Sequence, residues 1–383
     1  MSSDVNNRRL RAGIVGGGMG SLIGGLHRIA CELDSQALVV AGAMSSDAAR
    51  AKESADAWYL DRSYTSFQKM AETEAKHPQG IDFVIVATPN NMHFPVAKAF
   101  LEAGIHVVCD KPMTFTLEEA VELSAIVKKS GLLFAVTHNY TGYPAVRQAR
   151  DMIKKGELGE IRKVMVEYLQ DWLMDPIEQS GNKQAAWRTD PTKAGISCCV
   201  GDIGTHGENL MEYITGLKIK SLCADLSAFA PGRQLDDDAN MLLRLENGGK
   251  GNLSCSQVAC GEENNLNIRI FGTKASLEWH QQDPNELIIK PKGKPWENWR
   301  RGHGYMGNPA KDATRTPPGH PEGYLEAFAT LYKHVCADIR RVKTGQPAQG
   351  GYPTAADGLR GIHFVIKAVE SSKKGAVWVD MPE

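Results

Sequence analysis

Long apolar runs are missing from this 383-residue chain: nowhere do 18 consecutive apolar residues occur, so no transmembrane helix is expected. Residues 1–11 are polar and lack an apolar core, so no secretory leader is expected either. A charge excess of one sign is also missing. Lys and Arg number 44 against 45 Asp and Glu, a net charge of −1, which argues against nucleic acid or a membrane surface as partner. The eight cysteines are scattered and none forms a C-x-x-C pair. That spacing excludes a zinc ribbon or thioredoxin-type site, and no metal is expected. Free thiols in a reducing cytoplasm are the simplest reading. Internal repeats and low-complexity tracts are absent. What is present is 42% apolar residues, enough for two cores in a chain longer than the ~250–300 residues at which one core stops growing.

Residues 1–140 alternate between strand and helix patterns. Apolar runs at 10–15, 37–44, 81–87, 105–109 and 132–137 read as buried strands. Helical spacing follows at 21–33, 94–103 and 116–130. The last of these helices is well signalled: Thr116 and Glu119 make a capping box, and Gly131 stands where a terminal glycine belongs. Near-continuous apolar strands between helices imply a parallel sheet covered on both faces. After Tyr140 the texture changes. Residues 143–155 are helical, 161–169 alternate like a strand, and strand-like runs recur at 221–230, 239–246, 250–259, 267–271 and 275–280. They suggest a largely antiparallel sheet. Residues 281–319, rich in Pro, Gly, Lys and Arg, read as a long loop; 322–343 and 354–372 read as closing helices.

Three segments carry chemistry. Gly13-Ile14-Val15-Gly16-Gly17-Gly18-Met19-Gly20 lies between a strand and a helix. Glycines there let the backbone approach a pyrophosphate at a helix N-terminus. Gly16-x-Gly18 is in register, but Ser21 fills the third slot and Gly20 comes one place early; a plain tight turn is the competing reading. At the end of the next strand, an acid would grip the adenosine ribose. Here Ser45 stands in that place, followed by Ser46 and Asp47 with no adjacent Arg, which favours NAD over NADP; alternatively these residues only cap a helix. Thr88 and Asn90 end another strand, where ligands of parallel sheets bind, although Asn90 also suits a helix cap.

Lys111 follows a strand in Cys109-Asp110-Lys111-Pro112 and can donate to a substrate oxygen, unless it is a solvated surface lysine. Asp202 and His206 are spaced i, i+4, on one face of a helix. A histidine can take an alcohol proton near neutral pH, with a carboxylate to orient it. A capping Asp with a core His fits the spacing equally. Cys198 and Cys199, just before, read as packing.

Together these segments resemble the Gfo/Idh/MocA family, the relatives of glucose–fructose oxidoreductase and inositol dehydrogenase. The glycine loop, Ala87-Thr88-Pro89-Asn90-Asn91-Met92-His93, Asp110-Lys111-Pro112 (usually Glu-Lys-Pro), Trp187-Arg188 and Asp202-x-x-x-His206 occur in the family's order. The resemblance implies an α/β fold: a Rossmann dinucleotide-binding domain over 1–140, then an α+β domain over 141–383 with a large, mostly antiparallel, open-faced sheet that supports a homodimer or homotetramer. It implies an NAD(P)-dependent oxidoreductase acting on a hydroxyl carbon of a sugar, sugar derivative or cyclic polyol, with Lys111, Asp202 and His206 as catalytic group. It places Gly16, Gly18, Met19, Gly20, Ser45, Ser46, Thr88, Asn90, His93, Asp110, Lys111, Asn139, Trp187 and Arg188 at the cofactor. Tyr140, Tyr143, His320 and Tyr324 join Lys111, Asp202 and His206 on the substrate side. Two other readings use the same parts. One is a redox-neutral glycosidase with held NAD, in which Tyr140, Tyr143 or His320 supplies an extra base. The other is a non-enzymatic sugar or dinucleotide sensor, against which the joint presence of Lys111 and His206 argues.

Overall fold

The structure, a computed structural model, describes residues 5–382. It divides into two compact units: Met1–Asn139 with Phe328–Leu359, and Tyr140–Ala327 with Arg360–Glu383. The division is not sequential. Residues 328–359 join the first unit, a return of the chain that a single boundary at 140/141 does not contain.

The first unit runs β1 (Leu10–Gly16), α1 (Leu22–Leu33), β2 (Ala37–Ala43), α2 (Ala48–Ala57), β3 (Arg62–Ser63), α3 (Phe67–Glu74), β4 (Phe83–Ala87), α4 (His93–Glu102), β5 (His106–Cys109), α5 (Leu117–Ser130) and β6 (Phe134–Val136). All its strands are parallel, in the order β3-β2-β1-β4-β5-β6. The order reverses at β1, where a doubly wound sheet opens a crevice beyond its carboxyl ends. β4 is buried at every residue, as strands covered on both faces must be. The capping box at Thr116 and Glu119 and the left-handed Gly131 bound α5 as the sequence indicates.

The returning segment packs within this first unit. Tyr332 Oη lies 2.6 Å from His27 Nδ1, and Lys343 pairs with Asp82. Asp82 also accepts from Arg8 at 2.7 Å and from the Arg11 amide at 2.7 Å. Burial alone would push this carboxyl up; the bonds from Arg8, Lys343 and Arg11 outweigh it and hold the pKa below the ordinary value.

The second unit contains α6 (Pro144–Lys154), β7 (Ile161–Leu169), α7 (Lys183–Arg188), α8 (Pro191–Ala194), α9 (Thr205–Thr215), β8 (Ile219–Ser227), β9 (Asp238–Leu245), β10 (Lys250–Ser256), β11 (Asn265–Gly272), β12 (Ala275–His280), β13 (Glu286–Pro291), β14 (Glu297–Arg300) and α10 (Asn308–Ala313). The closing helices are α11 (Tyr324–Lys343), most of which belongs to the first unit, and α12 (Ala355–Lys373); β15 (Val379–Asp380) ends the chain. The nine-stranded sheet has the order β14-β13-β12-β11-β7-β10-β9-β8-β15. Among the described residues of this sheet only β7 and β10 pair in parallel; every other pair is antiparallel. One face holds the core, with Trp279, Val164, Leu253 and Ile268 under α6 and α9. Residues 281–319, expected as a loop, instead contain β13, β14 and α10. In β13 only Leu287 and Ile289 are buried between half-exposed neighbours, and flanking prolines made so short an alternation look like a linker.

Candidate active site

The glycine loop leaves β1 and enters α1. Gly16 and Gly17 have positive φ (77° and 64°), where a side chain is strained. A Cβ on Gly18 would come within 2.9 Å of Ser54 Oγ, and one on Gly24 would collide with the Gly17 carbonyl. Gly24 therefore gives the close helix–strand approach that the third glycine of such loops provides. Sequence reading by register missed it; a glycine inside a helix, which costs about 1 kcal/mol, was the available signal. Ser21 caps α1 by accepting from the Gly24 amide, and the Met19 amide bonds to Ser54 Oγ at 3.1 Å. After β2, Ser45 Oγ accepts from the Asp47 amide at 3.1 Å, and Asp47 caps α2 through the Arg50 amide at 2.9 Å; Ser46 follows Ser45 in this turn. At the end of β4 and beyond β6, two buried polar atoms, Thr88 Oγ1 and Asn139 Nδ2, have no hydrogen-bond partner. A glycine cradle at a helix N-terminus and two orphaned polar atoms fit a dinucleotide.

His93 has a different role from the one expected. Its side chain is only 1% exposed, with Nδ1 2.7 Å from the Pro112 carbonyl and Nε2 2.9 Å from the Thr88 carbonyl. The ring braces the end of β4 against the Lys111 turn and offers no edge to a cofactor. Asn90, in the short 3-10 turn before it, is buried.

Lys111 stands in the turn after β5, preceding a cis peptide to Pro112. Asp110 Oδ1 accepts from the Lys111 amide at 2.8 Å and from Thr137 Oγ1 at 3.0 Å, linking the ends of β5 and β6. Next to Thr137, burial and then the charge of Lys111 push His138 down to about 4. His138 is therefore neutral at neutral pH.

In the second unit, Asp202 sits in a π-helical turn, Val200–Gly204, that runs into α9, and His206 is the second residue of α9. Such turns recur at functional sites. Asp202 Oδ2 accepts from Arg188 Nε at 3.1 Å and from Gln257 Nε2 at 2.9 Å. The Arg188 guanidinium also lies over the Trp187 ring, 4.2 Å from its centroid. The buried ring of His206 meets Tyr140 edge-on at 4.9 Å and Tyr168 at 6.2 Å. Tyr140 and Tyr168 share a short hydroxyl contact, and Tyr168 donates to Asn264 Oδ1 at 2.8 Å. Burial raises the pKa of both hydroxyls, so neither is a ready base.

Of the residues expected near substrate, Tyr324 packs against Tyr140 at 6.2 Å. Tyr143 is a correction: 1% exposed and set against Trp279 at 5.2 Å, it belongs to the core. Its hydroxyl lies 3.4 Å from Gln281 Nε2, and burial raises its pKa far above the usual tyrosine value. His320 lies on an exposed loop with Nδ1 3.3 Å from the Pro318 carbonyl. Sequence reading missed Gln257, Tyr168 and Asn264, which come from strand ends remote in sequence.

Two family models match the chain. One, described as the oxidoreductase family with NAD-binding Rossmann fold, covers residues 10–138. The other, the GFO/IDH/MocA C-terminal domain, covers 146–278. The uncharacterized oxidoreductase YfiI of Bacillus subtilis is 35% identical over 384 residues, 98% of either chain. Levoglucosan dehydrogenase of Pseudarthrobacter phenanthrenivorans is 29% identical, covering 79% of this chain and 80% of its own. Among solved structures, an inositol dehydrogenase homolog from Azotobacter vinelandii in complex with NAD+ is 38% identical, with a TM-score of 0.94 over 97% of both chains. The same homolog with NADH and myo-inositol gives 37% and 0.88, over 97% of this chain and 98% of its own.

Proposed function

The chain belongs to the Gfo/Idh/MocA family of oxidoreductases, and from that premise we propose that it oxidises a hydroxyl carbon of a sugar, sugar derivative or cyclic polyol, using NAD in preference to NADP. The observation that carries this reading is the carboxylate of Asp202, held by two donors one turn before His206. A carboxylate held at that spacing can orient a general base. Bound NAD supplies the hydride acceptor. His206 takes the hydroxyl proton, and Asp202 orients the ring and favours its charged form. Lys111, on the first unit, donates to the reacting oxygen and meets the negative charge that develops there. Gly16, Gly18, Met19 and Gly20 would hold the pyrophosphate, Thr88 and Asp110 would line the dinucleotide, and Asn139 would lie near the nicotinamide or substrate. Relatives named for inositol and levoglucosan support a polyol or sugar as substrate. Preference for NAD rests on Asp47, whose carboxylate beside Ser45 would repel a 2′-phosphate.

Assaying cyclic polyols, sugars and anhydrosugars with each dinucleotide tests this. NADH should accumulate with at least one compound, with kcat/KM about tenfold or more above the NADP value, or ~1.4 kcal/mol. Release of free sugar from glycosides with no net NADH would show the redox-neutral glycosidase instead. Bound dinucleotide with no turnover on any compound would show the sensor.

We also propose a homodimer or homotetramer formed through the outer face of the nine-stranded sheet. Across that face the register aligns Cys223, Leu242, Asn252, Met165, Arg269, Glu278 and Ile288 in one row. Leu242 is half exposed, and apolar residues among paired charges suit a self-complementary interface. Light scattering at micromolar concentration should return twice or four times the 41.8 kDa chain mass; a strict monomer refutes the proposal. All eight cysteines are free, which suits the reducing cytoplasm we propose as its location.

A further inference from the structure

Gln257 follows β10 and is 0% exposed. Its backbone is fixed at both ends: the amide donates to the Asp237 carbonyl at 2.8 Å, and the carbonyl accepts from the Leu173 amide at 3.0 Å. Its side chain is fixed as well. Nε2 donates to Asp202 Oδ2 at 2.9 Å, and Oε1 accepts from Cys198 Sγ at 3.4 Å. The two ends of the amide are not interchangeable. An ionised carboxylate only accepts, so the nitrogen must face Asp202, and the thiol donor then meets the oxygen. Arg188 reaches the same Oδ2, but its side chain is partly open to water. Gln257 is itself fully buried beside a carboxylate that is only partly covered, and a hydrogen bond to a charged group gains strength as water is withdrawn from it.

We propose that Gln257 is a positioning residue for the dehydrogenase reaction: its amide, oriented by Cys198, fixes the Asp202 carboxylate that His206 depends on. The proposal rests on the dehydrogenase reading above. Gln257→Met keeps the volume and removes both polar ends. Gln257→Glu keeps the shape and sets a second carboxylate against Asp202. Cys198→Ala removes the thiol donor, and Cys198→Ser restores a donor.

The experiment measures kcat and KM for NAD and for a turned-over polyol in these four variants, with wild type and His206→Ala alongside. Gln257→Met should lower kcat by about ten- to a hundredfold, the worth of a hydrogen bond to a charged group, with KM for NAD unchanged. Gln257→Glu should lose at least as much, although a residue needed only for its shape would tolerate it. Cys198→Ala should lose several-fold and Cys198→Ser should recover. Near-wild-type kcat in folded Gln257→Met overturns the proposal, as does a serine variant no better than alanine. Should the Gln257 variants fail to fold, judged by near-UV dichroism and NAD titration, the Cys198 pair decides alone. A wild-type protein that turns over no polyol refutes the dehydrogenase reading and this proposal with it; an active wild type with an indifferent Gln257 refutes this proposal only.

Discussion

Replacing His206 by alanine is expected to lower the hydride-transfer rate by about two to four orders of magnitude, the usual worth of a positioned general base. The ring stands at the start of α9, on the turn that carries Asp202, and is buried against Tyr140 and Tyr168. The tyrosines of this region do not readily replace it. The hydroxyls of Tyr140, Tyr143 and Tyr168 all have pKa values raised by burial. Affinity for NAD should change little, because His206 belongs to the second unit and the glycine loop to the first. Single-turnover kinetics with a competent polyol and saturating NAD measures the effect. Turnover close to wild type would move the proton acceptor elsewhere, with the exposed His320 the first to test.

Lys111→Ala should cost a comparable factor, about two to three orders of magnitude, because a donor to the reacting oxygen is removed where charge develops. Some loss of NAD affinity is also expected, since Lys111 shares its turn with Asp110. This variant has a second readout that needs no substrate. The charge of Lys111 is one cause, after burial, of the low pKa of His138. Without that charge the imidazolium is less disfavoured, so His138 should titrate above its value of about 4 while burial keeps it below the ordinary 6.5. An NMR titration of the histidines in both proteins tests the sign. An unmoved His138 would mean that Lys111 does not act on this corner of the sheet.

Elements whose pattern is local were legible in the sequence. The capping box of α5, the buried strands β1, β4 and β5, and the alternation of β9 and β11 all follow from neighbouring residues. What failed was non-local. Residues 322–343 and 354–372 read as closing helices, and nothing in their periodicity says that Tyr332 meets His27 or Lys343 meets Asp82. The i, i+4 spacing of Asp202 and His206 was legible, but the π-helical turn that carries Asp202 was not, since it depends on backbone bonding that residue types do not encode. Gln257 gave no signal: one polar residue at the end of a strand is ordinary until its partners are known. His93 and Tyr143 were misread for a common reason, because a polar tip suggested contact with a ligand while the interior already supplied partners.

The return of Phe328–Leu359 to the first unit has a consequence for synthesis on the ribosome. The six parallel strands are complete once Val136 has emerged. The tyrosine for His27, the lysine for Asp82 and the carbonyl of Pro353 that receives the Val136 amide are then still untranslated. About 190 residues separate Asn139 from Phe328, roughly ten to forty seconds of elongation at ordinary rates. Throughout that interval the nascent sheet lacks the Tyr332 ring that packs near Phe83 and the lysine that pairs with Asp82. The dinucleotide-binding half begins first and finishes late, so its maturation is tied to the translation of nearly the whole message.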